Sequence, residues 1–330
     1  MSFWVVFQRI IQLFLIMLVG FLANKLHFFD RDLREKVTAL VLNISLPGVI
    51  LSTVWNEPDL PSAGKFLISF ALVMVFFLVE VSAGWLAARL IPFPHSMRGL
   101  VRFALTFGNV GFMGYPVIQS IFGQKGMFYT TMVNLPYNIL ILSVGAVLIL
   151  QDKQVMQERG ELQIPENEQN RDAAMSVFTR KDLKKLLLSP CILSSFVAFF
   201  FALTRIPVPS VMSETASTLG QITTPATMLI VGSSLAETRF RDLFNDVWLY
   251  VLTLLRVIAL PLLVFLIFRS LSDDRLFVGV LTVLAGMPVA ATGQMLTVKY
   301  RVNEDRMARI ISLTVLCSGI TIPLIATLVT

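Results

Sequence analysis

Apolar residues are concentrated in ten stretches of this chain, and short polar connections separate them. A transmembrane helix needs about 20 mostly apolar residues to cross about 30 Å of hydrocarbon. Transmembrane strands would instead alternate apolar and polar residues in segments of about ten. The pattern predicts an all-α integral membrane protein with ten transmembrane helices, over residues 3–23, 37–54, 66–90, 100–121, 127–150, 186–203, 211–235, 247–268, 276–298 and 307–329.

The longest polar connection, residues 151–185, divides these helices into two sets of five. Its charges are mixed and its apolar residues show no strong periodicity, so we expect a cytoplasmic linker with some helix near its ends. Because five is odd, a second copy of a five-helix unit enters the membrane in the opposite orientation. We therefore expect two inverted repeats, at residues 1–150 and 186–330.

The overall composition agrees with a membrane protein. Hydrophobic residues make up 55% of the chain and charged residues 15%, whereas soluble domains have about 25% charged residues. This excludes disordered, collagen-like and disulfide-rich secreted proteins. The net charge of +6 does not indicate a nucleic-acid partner, because the cytoplasmic loops of membrane proteins carry excess lysine and arginine.

The positions of the basic residues predict the orientation. Most of the 27 lysines and arginines lie at the connections after the odd-numbered helices. The positive-inside rule places these connections in the cytoplasm and both termini outside, in the cytoplasmic (inner) membrane. Both cysteines lie in apolar stretches, so we expect neither a disulfide framework nor a metal site. Nucleotide-binding, hydrolase and metalloprotease motifs are absent from the sequence, so we expect no enzyme activity and no cofactor.

Two predicted helices carry matching signals for an interruption. In helix 4, Pro116 follows three nearby glycines, and in helix 9, Pro288 lies between two. A proline inside a helix removes a hydrogen-bond donor and clashes with the preceding turn. Freed backbone groups persist at membrane depth only where they line a cavity or contact a ligand. Paired interruptions of this kind indicate the binding site of a transporter, in which the half-helix N-termini favour an anion.

Two charged residues lie near the middle of predicted helices, Glu80 in helix 3 and Arg256 in helix 8. A charge at the bilayer centre costs at least about 2.5 kcal/mol, so both side chains should face protein or water. Three interpretations are open. The two residues form a structural ion pair, Glu80 binds a proton or coupling ion, or Arg256 holds a substrate carboxylate.

Several neutral polar residues are candidates for ligand contacts. Asn134 and Asn138 share a face of helix 5, and Asn109 lies two turns before Pro116. Amides donate hydrogen bonds to a carboxylate without bringing a charge into the membrane. The alternative for these residues is hydrogen bonding between helices. Ser45, Asn43 and Thr223 are candidates for the opposite wall of the site, and their alternative is packing of small residues.

The run NVGFMGYPVI at residues 109–118 resembles the helix-4 motif of the auxin efflux carrier family. That family includes the plant PIN-formed exporters and bacterial malonate and malate permease-like proteins. Residues 285–289 and 299–302 resemble its helix-9 region, and residues 43–47 and 224–234 resemble its helices 2 and 7. The resemblance covers almost the whole chain in the same order. Residues 66–77 depart from the plant members, because they carry no charge here.

The resemblance implies a scaffold domain of helices 1, 2, 6 and 7 and a transport domain of helices 3–5 and 8–10 that moves like an elevator. Helices 4 and 9 would cross at their prolines, and a small organic anion such as malonate, malate or an auxin-like acid would bind beside them. A homodimer is also expected. The expected substrate contacts are Asn109, Gly114, Tyr115, Pro116, Val117, Asn134, Asn138, Pro288, Val289 and Ala290, with Asn43, Ser45 and Thr223 on the scaffold side.

Two other functions are compatible with the same residues. A sodium- or proton-coupled exchanger on a related fold needs an essential carboxylate near the crossing, and Glu80 is the candidate inside the predicted helices. A membrane receptor would bind the ligand without moving it. Flux measurements distinguish these functions from an organic-anion transporter.

Overall fold

The computed structural model describes residues 3–57, 62–159, 188–238 and 246–329. These residues form helices joined by short connections, and they contain no β-strand. The helices are α1 (Phe3–Lys25), α2 (Arg31–Trp55), α3 (Ala63–Leu90), α4 (Arg98–Thr106), α5 (Tyr115–Glu158), α6 (Pro190–Thr204), α7 (Ser210–Gln221), α8 (Thr223–Ala236), α9 (Val247–Leu271), α10 (Arg275–Ala285), α11 (Thr292–Tyr300) and α12 (Glu304–Val329).

Six helical stretches of the described residues are long and apolar enough to cross a membrane: Trp4–Lys25, Arg31–Trp55, Ala63–Leu90, Val110–Glu158, Val247–Leu271 and Glu304–Val329. They confirm an integral membrane protein built from helices. Predicted helix 6 is the 15-residue α6, and predicted helices 4, 7 and 9 are interrupted, so their continuous segments are shorter than a full span. The number of ten spans and the inverted repeat stay predictions.

Helix α5 contains a sharp turn at Gly123, where φ is 66° and ψ is −154°. A positive φ suits glycine, which has no Cβ to clash with the backbone. Residues 115–122 therefore complete predicted helix 4, and the rest of α5 is predicted helix 5. The helix continues to Glu158, so the first residues of the predicted linker are helical. Residues 160–187 lie outside the described ranges.

The helices pack in two groups. In the first, the scaffold group, α1 packs on α8, while the second half of α2 packs on α6 and α7. In the second, the crossing group, α3 packs on α4, α5 packs on α4 and α10, and α9 packs on α10 and α12. The groups touch where α1 meets α5 and α12, where α2 and α6 meet α5, and where α8 meets the turn Val110–Gly114. This turn brings the interrupted part of the crossing group next to the scaffold group.

Glycine allows the backbones of α1 and α8 to touch. A Cβ built on Gly232 would collide with the carbonyl oxygen of Met17, and one built on Gly20 would collide with the backbone of Leu229. In a membrane, lipid is as apolar as the side chains, so close van der Waals contact between backbones is a main source of helix association. The two glycines therefore fix the α1–α8 interface.

The α2–α7 interface combines a glycine with buried hydroxyl groups. A Cβ on Gly48 would lie 2.8 Å from the carbonyl oxygen of Ala216. Ser45 and Thr223 hydrogen-bond to each other through their hydroxyl groups, and Ser45 also donates to the carbonyl oxygen of Leu219 at 3.0 Å. These contacts join the π-helical turn of α2, Val41–Ser45, to the point where α7 ends and α8 begins.

Candidate functional site

Predicted helix 4 is broken at residues 107–109, ahead of the proline that predicts the break. Phe107 is extended, with φ −118° and ψ 100°, and Asn109 has φ −80° and ψ 68°. The side-chain oxygen of Asn109 accepts from the amide of Phe112 at 3.1 Å, which caps the π-helical turn leading into α5. Pro116 lies at the start of α5, directly after this turn, so the chain is broken before the proline and not at it.

Predicted helix 9 is broken between Ala285 and Thr292, at the proline itself, and this break lies against the first one. The amide of Asn109 donates to the carbonyl oxygen of Pro288 at 2.7 Å, and the amide of Ala290 donates to the carbonyl oxygen of Phe107 at 3.0 Å. Gly108 and Val289 thus form an isolated antiparallel β-bridge. We call residues 107–109 and 286–291 the crossing. Each break supplies hydrogen bonds that the other has lost.

Arg256 connects the helix ends that lead into the crossing. It lies in the π-helical turn Leu255–Ala259 of α9 and is fully buried. Its Nη1 donates to the carbonyl oxygen of Leu105 at 2.7 Å, and its Nε donates to that of Met287 at 2.9 Å. The carbonyl groups at a helix C-terminus lack partners and carry negative partial charge. One guanidinium group therefore caps the last turn of α4 and binds the segment that follows α10.

Gly108 makes room for this guanidinium group. A Cβ built on Gly108 would collide with Nη2 of Arg256. The Nη2 atom is buried and has no hydrogen-bond partner in the structure. Gly108 therefore has two roles: it leaves space for the Arg256 guanidinium group and it forms the β-bridge with Val289.

Glu80 of α3 lies beside Arg256. Its Oε1 accepts from Nη1 at 3.5 Å, and both side chains are almost completely buried. A separation of 3.5 Å is the upper limit of a hydrogen bond, but the attraction between two charges is strong where water is excluded. This contact favours the ion-pair interpretation of the two residues. Proton binding by Glu80 and substrate binding by Arg256 stay predictions.

Thr314 of α12 also holds the crossing. Its hydroxyl group accepts from the amide of Val289 at 3.1 Å and donates to the carbonyl oxygen of Ile310 at 2.7 Å. Thr314 is not predictable from the sequence as a site residue, because a threonine in a transmembrane helix commonly bonds to its own backbone. The dipeptide Gly108-Asn109, in contrast, was a usable signal for the position of the break.

The two asparagines of α5 differ in their hydrogen bonds. Asn138 donates to the carbonyl oxygen of Asn134 at 2.8 Å and so bonds to its own helix. Asn134 is 1% exposed, and its Nδ2 has no hydrogen-bond partner in the structure. A buried amide donor without a partner costs about 1–3 kcal/mol. The Nδ2 group of Asn134 is therefore a buried donor that a ligand could satisfy.

The remaining predicted contacts on α5 are buried. Tyr115 donates to the hydroxyl group of Thr131 at 3.2 Å. A Cβ on Gly114 would lie 2.9 Å from the side chain of Leu284 in α10, so this glycine lets α10 approach the turn. Pro116 and Val117 are buried beside them.

The three residues expected on the scaffold side lie away from the crossing. Ser45 and Thr223 are buried and bond to each other, so these hydroxyl groups hold α2 against α8. Asn43 is exposed and donates to the carbonyl oxygen of Ala39 in its own helix at 2.7 Å. The scaffold group reaches the crossing group through α8, which packs on Val110–Gly114.

Two clefts open elsewhere on the surface. One of about 200 Å³ lies where α2 and α6 end, between Trp55 and Arg205. Another of about 210 Å³ lies between α1, α8 and α12 and is lined by apolar residues such as Phe14 and Leu316. The crossing itself is closed, since Asn109 is only 3% exposed.

The buried crossing of two interrupted helices in an apolar helical protein is the arrangement of a membrane transporter. The chain belongs to the membrane transport protein family, whose model matches residues 5–326. This is the auxin efflux carrier family that the sequence resembles, and the protein is a transporter, not an enzyme.

The curated relatives are distant in sequence. An uncharacterized transporter of Methanocaldococcus jannaschii is 22% identical over 320 residues, which is 94% of each chain. An uncharacterized transporter of Methanothermobacter thermautotrophicus is 20% identical over 141 residues, 43% of this chain and 46% of that one. Protein PIN-LIKES 1 of Arabidopsis thaliana is 22% identical over 145 residues, 42% of this chain and 31% of the relative.

Proposed function

We propose that this protein is a secondary transporter of small organic anions, namely carboxylates such as malonate, malate or auxin-like acids. The observation that carries the proposal is the buried antiparallel contact between the two helix breaks, where Asn109 donates to Pro288. Interrupted helices that meet inside the membrane build ligand sites in secondary transporters. Transport would be driven by an ion gradient or by the gradient of the substrate itself.

The charges around the crossing favour an anion. Arg256 donates to the carbonyl oxygens of Leu105 in α4 and of Met287 just after α10, so its positive charge lies beside the C-terminal ends of both helices. The segments that follow, Val110–Gly114 with α5 on one side and α11 on the other, begin at the crossing with the positive ends of their dipoles. Asn134 adds a buried amide donor without a partner. A carboxylate is the ligand that matches positive helix ends and neutral donors.

The closed state of the crossing supports a mechanism with movement between the two groups. A ligand can reach a buried site only if the crossing group shifts relative to the scaffold group. Polar contacts of described residues across the boundary include Thr224 to Gln119 at 3.2 Å, Thr238 to Ser312 at 2.6 Å, and Arg9 to the carbonyl oxygen of Ser120. We propose elevator-type alternating access.

The proposal includes the arrangement in the membrane. The chain would span the cytoplasmic membrane ten times as a 5+5 inverted repeat, with both termini extracytoplasmic, and the scaffold groups of two copies would form a homodimer. The distribution of lysine and arginine supports the orientation. Cysteines introduced at each connection and labelled from one side test it.

The experiment that tests the substrate class is flux of labelled malonate, malate and indole-3-acetate into proteoliposomes. Asn109→Ala should raise the half-saturation concentration roughly 10- to 100-fold, the effect of losing a hydrogen bond to a charged group. Asn43→Ala is the matched control, because this amide is exposed and bonds to its own helix. Saturable flux that Asn109→Ala leaves unchanged would contradict the proposed site. Binding without flux in correctly inserted protein would favour a receptor.

Coupling to protons or sodium is a second candidate, favoured by the burial of Glu80, which is 2% exposed. A carboxylate at this depth can carry a coupling ion only if it releases Arg256 during the cycle. Glu80→Gln should then abolish uptake driven by a pH or sodium gradient but leave exchange of labelled for unlabelled substrate. Gradient-driven uptake that survives in the folded variant would exclude Glu80 as the coupling residue.

A further inference from the structure

Two arginines lie over one tryptophan where α3 and α4 meet. The guanidinium carbon of Arg89 is 5.6 Å from the ring centroid of Trp85, and that of Arg102 is 5.7 Å from it. Cations at this distance from an indole ring are attracted to its face. Arg89 comes from the same helix as Trp85, whereas Arg102 comes from α4, so the cluster joins two helices.

Close packing of the two helices fixes this cluster. Gly84 precedes Trp85, and a Cβ on Gly84 would lie 3.0 Å from the carbonyl oxygen of Arg102. The backbone of α4 therefore rests directly on α3 at this point. The ring and the two guanidinium groups are held in place by the fold and not only by their mutual attraction.

Among the described residues, the cluster brings three arginines together beside one carboxylate, Asp152. Arg98 lies one turn before Arg102 on the same face of α4. Among the described residues, none of these three arginines forms an ion pair with a carboxylate. Asp152 lies nearby, but it accepts from the amides of Gly99 at 2.6 Å and Leu100 at 2.8 Å. Asp152 also attracts Arg102 electrostatically, so within the described part of the chain one carboxylate lies beside three arginines.

Two of the arginines also have N–H groups without a hydrogen-bond partner. The Nε atoms of Arg98 and Arg102 are buried and have no hydrogen-bond partner in the structure. The Nη1 group of Arg102 donates to the side-chain oxygen of Gln151 at 2.8 Å. A guanidinium group donates in a planar fork that matches two oxygens of a phosphate. A ligand that satisfies these donors would therefore carry several oxygens and a negative charge.

The cluster lies at the end of a membrane span. α3 ends at Leu90, and the exposed fractions of Trp85, Leu86 and Leu90 are 51%, 54% and 70%. Tryptophan and arginine at the end of an apolar span lie at the depth of the lipid headgroups. The ligand that offers a phosphate at this depth and acyl chains beside leucines is a phospholipid.

We infer that Trp85, Arg89, Arg98 and Arg102 form a binding site for the phosphate headgroup of an anionic phospholipid. The three arginines require a net negative headgroup, since the choline of a zwitterionic lipid would bring a cation into an uncompensated positive cluster. The site is separate from the crossing, and the inference does not depend on the transported substrate.

The test uses Trp85 as its own reporter. The chain has four tryptophans, and replacing Trp4, Trp55 and Trp248 with phenylalanine leaves Trp85 as the only indole. The full-length protein in lipid nanodiscs is titrated with phosphatidylglycerol or phosphatidylcholine that carries bromine on the same acyl carbons. Bromine quenches an indole in contact with it. We expect quenching at a lower mole fraction of the anionic lipid than of the zwitterionic lipid.

The arginine variants define the expected size of the effect. Each arginine near a membrane surface contributes about fivefold to the binding of anionic lipid. Arg89→Gln should lower the preference about fivefold, and Arg89→Gln with Arg102→Gln about 25-fold. Arg89 is exposed, so its single variant tests the site even if the double variant does not fold. Arg269→Gln is the matched control, because the guanidinium carbon of Arg269 also lies over an aromatic ring, 5.6 Å from the centroid of Phe265, but at the end of α9. This variant should leave the lipid preference at Trp85 unchanged.

Three outcomes would overturn the inference. Equal quenching by the two lipids would show that the site does not select charge. A preference that persists in the double variant would assign it to other residues. Inorganic phosphate at millimolar concentration that reverses the quenching by phosphatidylglycerol would show a site for a free anion and not for a lipid.

Discussion

At the α1–α8 interface two backbones touch, whereas at the crossing two backbones exchange hydrogen bonds. The first contact depends on Gly20 and Gly232, where any Cβ would collide with the opposite backbone. The second depends on polar atoms, because Asn109 and Ala290 donate across the breaks and Arg256 caps the helix ends beside them. Both interfaces lie inside one membrane protein, but they are held by different physical forces.

The difference follows from what lipid offers a helix. A complete helix has satisfied its backbone internally, so a partner gains only by close packing, and small residues permit the closest approach. A broken helix exposes donors and acceptors that lipid cannot satisfy, and each one costs several kcal/mol unless protein supplies a partner. The α1–α8 interface should therefore be sensitive to added volume, and the crossing to the loss of polar atoms.

The largest effect is expected from Arg256→Met. This change leaves Glu80 buried without a partner and removes the donors to the carbonyl oxygens of Leu105 and Met287. Removing one member of a buried pair costs about 3–5 kcal/mol, so we expect a drop of that size in the unfolding free energy. Unfolding in mixed micelles with increasing SDS measures it.

A double variant separates the ion pair from the capping of the helix ends. Replacing both members of a buried pair with apolar residues is often nearly neutral, so Glu80→Leu with Arg256→Met would recover the full stability if the pair alone mattered. We expect only partial recovery, because Leu105 and Met287 stay without donors. Full recovery would contradict the capping role of Arg256.

The second effect probes the scaffold by adding volume. In Gly232→Ala, the new methyl group would collide with the carbonyl oxygen of Met17, which belongs to a helix backbone and cannot rotate away. We expect a loss of about 3 kcal/mol in unfolding free energy, the upper part of the range for overpacking. The control is Gly64→Ala in the first turn of α3, where a Cβ meets nothing within 4 Å and the change should stabilise by about 0.4–1 kcal/mol. Equal effects at the two positions would show that the α1–α8 backbones are not in contact.

The third effect probes the crossing by removing one acceptor. Thr314→Val keeps the shape of the side chain but leaves the amide of Val289 without the partner it has at 3.1 Å. We expect a loss of about 1–2 kcal/mol, the cost of a buried unsatisfied donor. Thr282→Val is the control, since Thr282 is equally buried and donates only to its own helix, to Val278. If both variants lost the same stability, the hydroxyl of Thr314 would not support the crossing.

The apolar pattern predicted most of the helices, because the thickness of the membrane fixes the length of the apolar stretch that a spanning helix needs. The helix predicted at 66–90 is Ala63–Leu90 in the structure, and the helix predicted at 307–329 is Glu304–Val329. α2 begins at Arg31, six residues before the predicted start, because its first turns are charged. A prediction that begins a helix at its first apolar residues leaves out these charged turns, although the backbone hydrogen bonds of the helix continue through them.

The candidate site could be predicted only in part. Depth in the membrane was enough to select Glu80 and Arg256, which lie 3.5 Å apart. The break in helix 4 occurs at Gly108 and not at Pro116, and the π-helical turn Val110–Gly114 separates the two, so the proline marks the region of the break but not its position. The carbonyl oxygens of Leu105 and Met287 could not be predicted, since every residue has a carbonyl group and only the fold decides which one loses its partner.

The smallest stability effect is expected at Asn134, and its sign is opposite to the others. Its Nδ2 is buried without a hydrogen-bond partner, so Asn134→Leu removes an unsatisfied donor while it keeps the branching and the number of side-chain heavy atoms. We expect the unfolding free energy to rise by about 1 kcal/mol, while the half-saturation concentration for the organic anion rises as well. A gain in stability with a loss of binding is typical of residues kept for function.

Asn138→Leu is the matched control, because this amide bonds only to its own helix, at Asn134. It should change the unfolding free energy by less than about 0.5 kcal/mol, as substitutions away from special features do. If Asn134→Leu lost stability, the side chain of Asn134 would have a structural role. If it gained stability but transported normally, the donor would not contact the ligand, and Asn109 alone would supply the amide at the crossing. The two measurements together therefore separate an amide that holds the crossing from one that awaits a carboxylate.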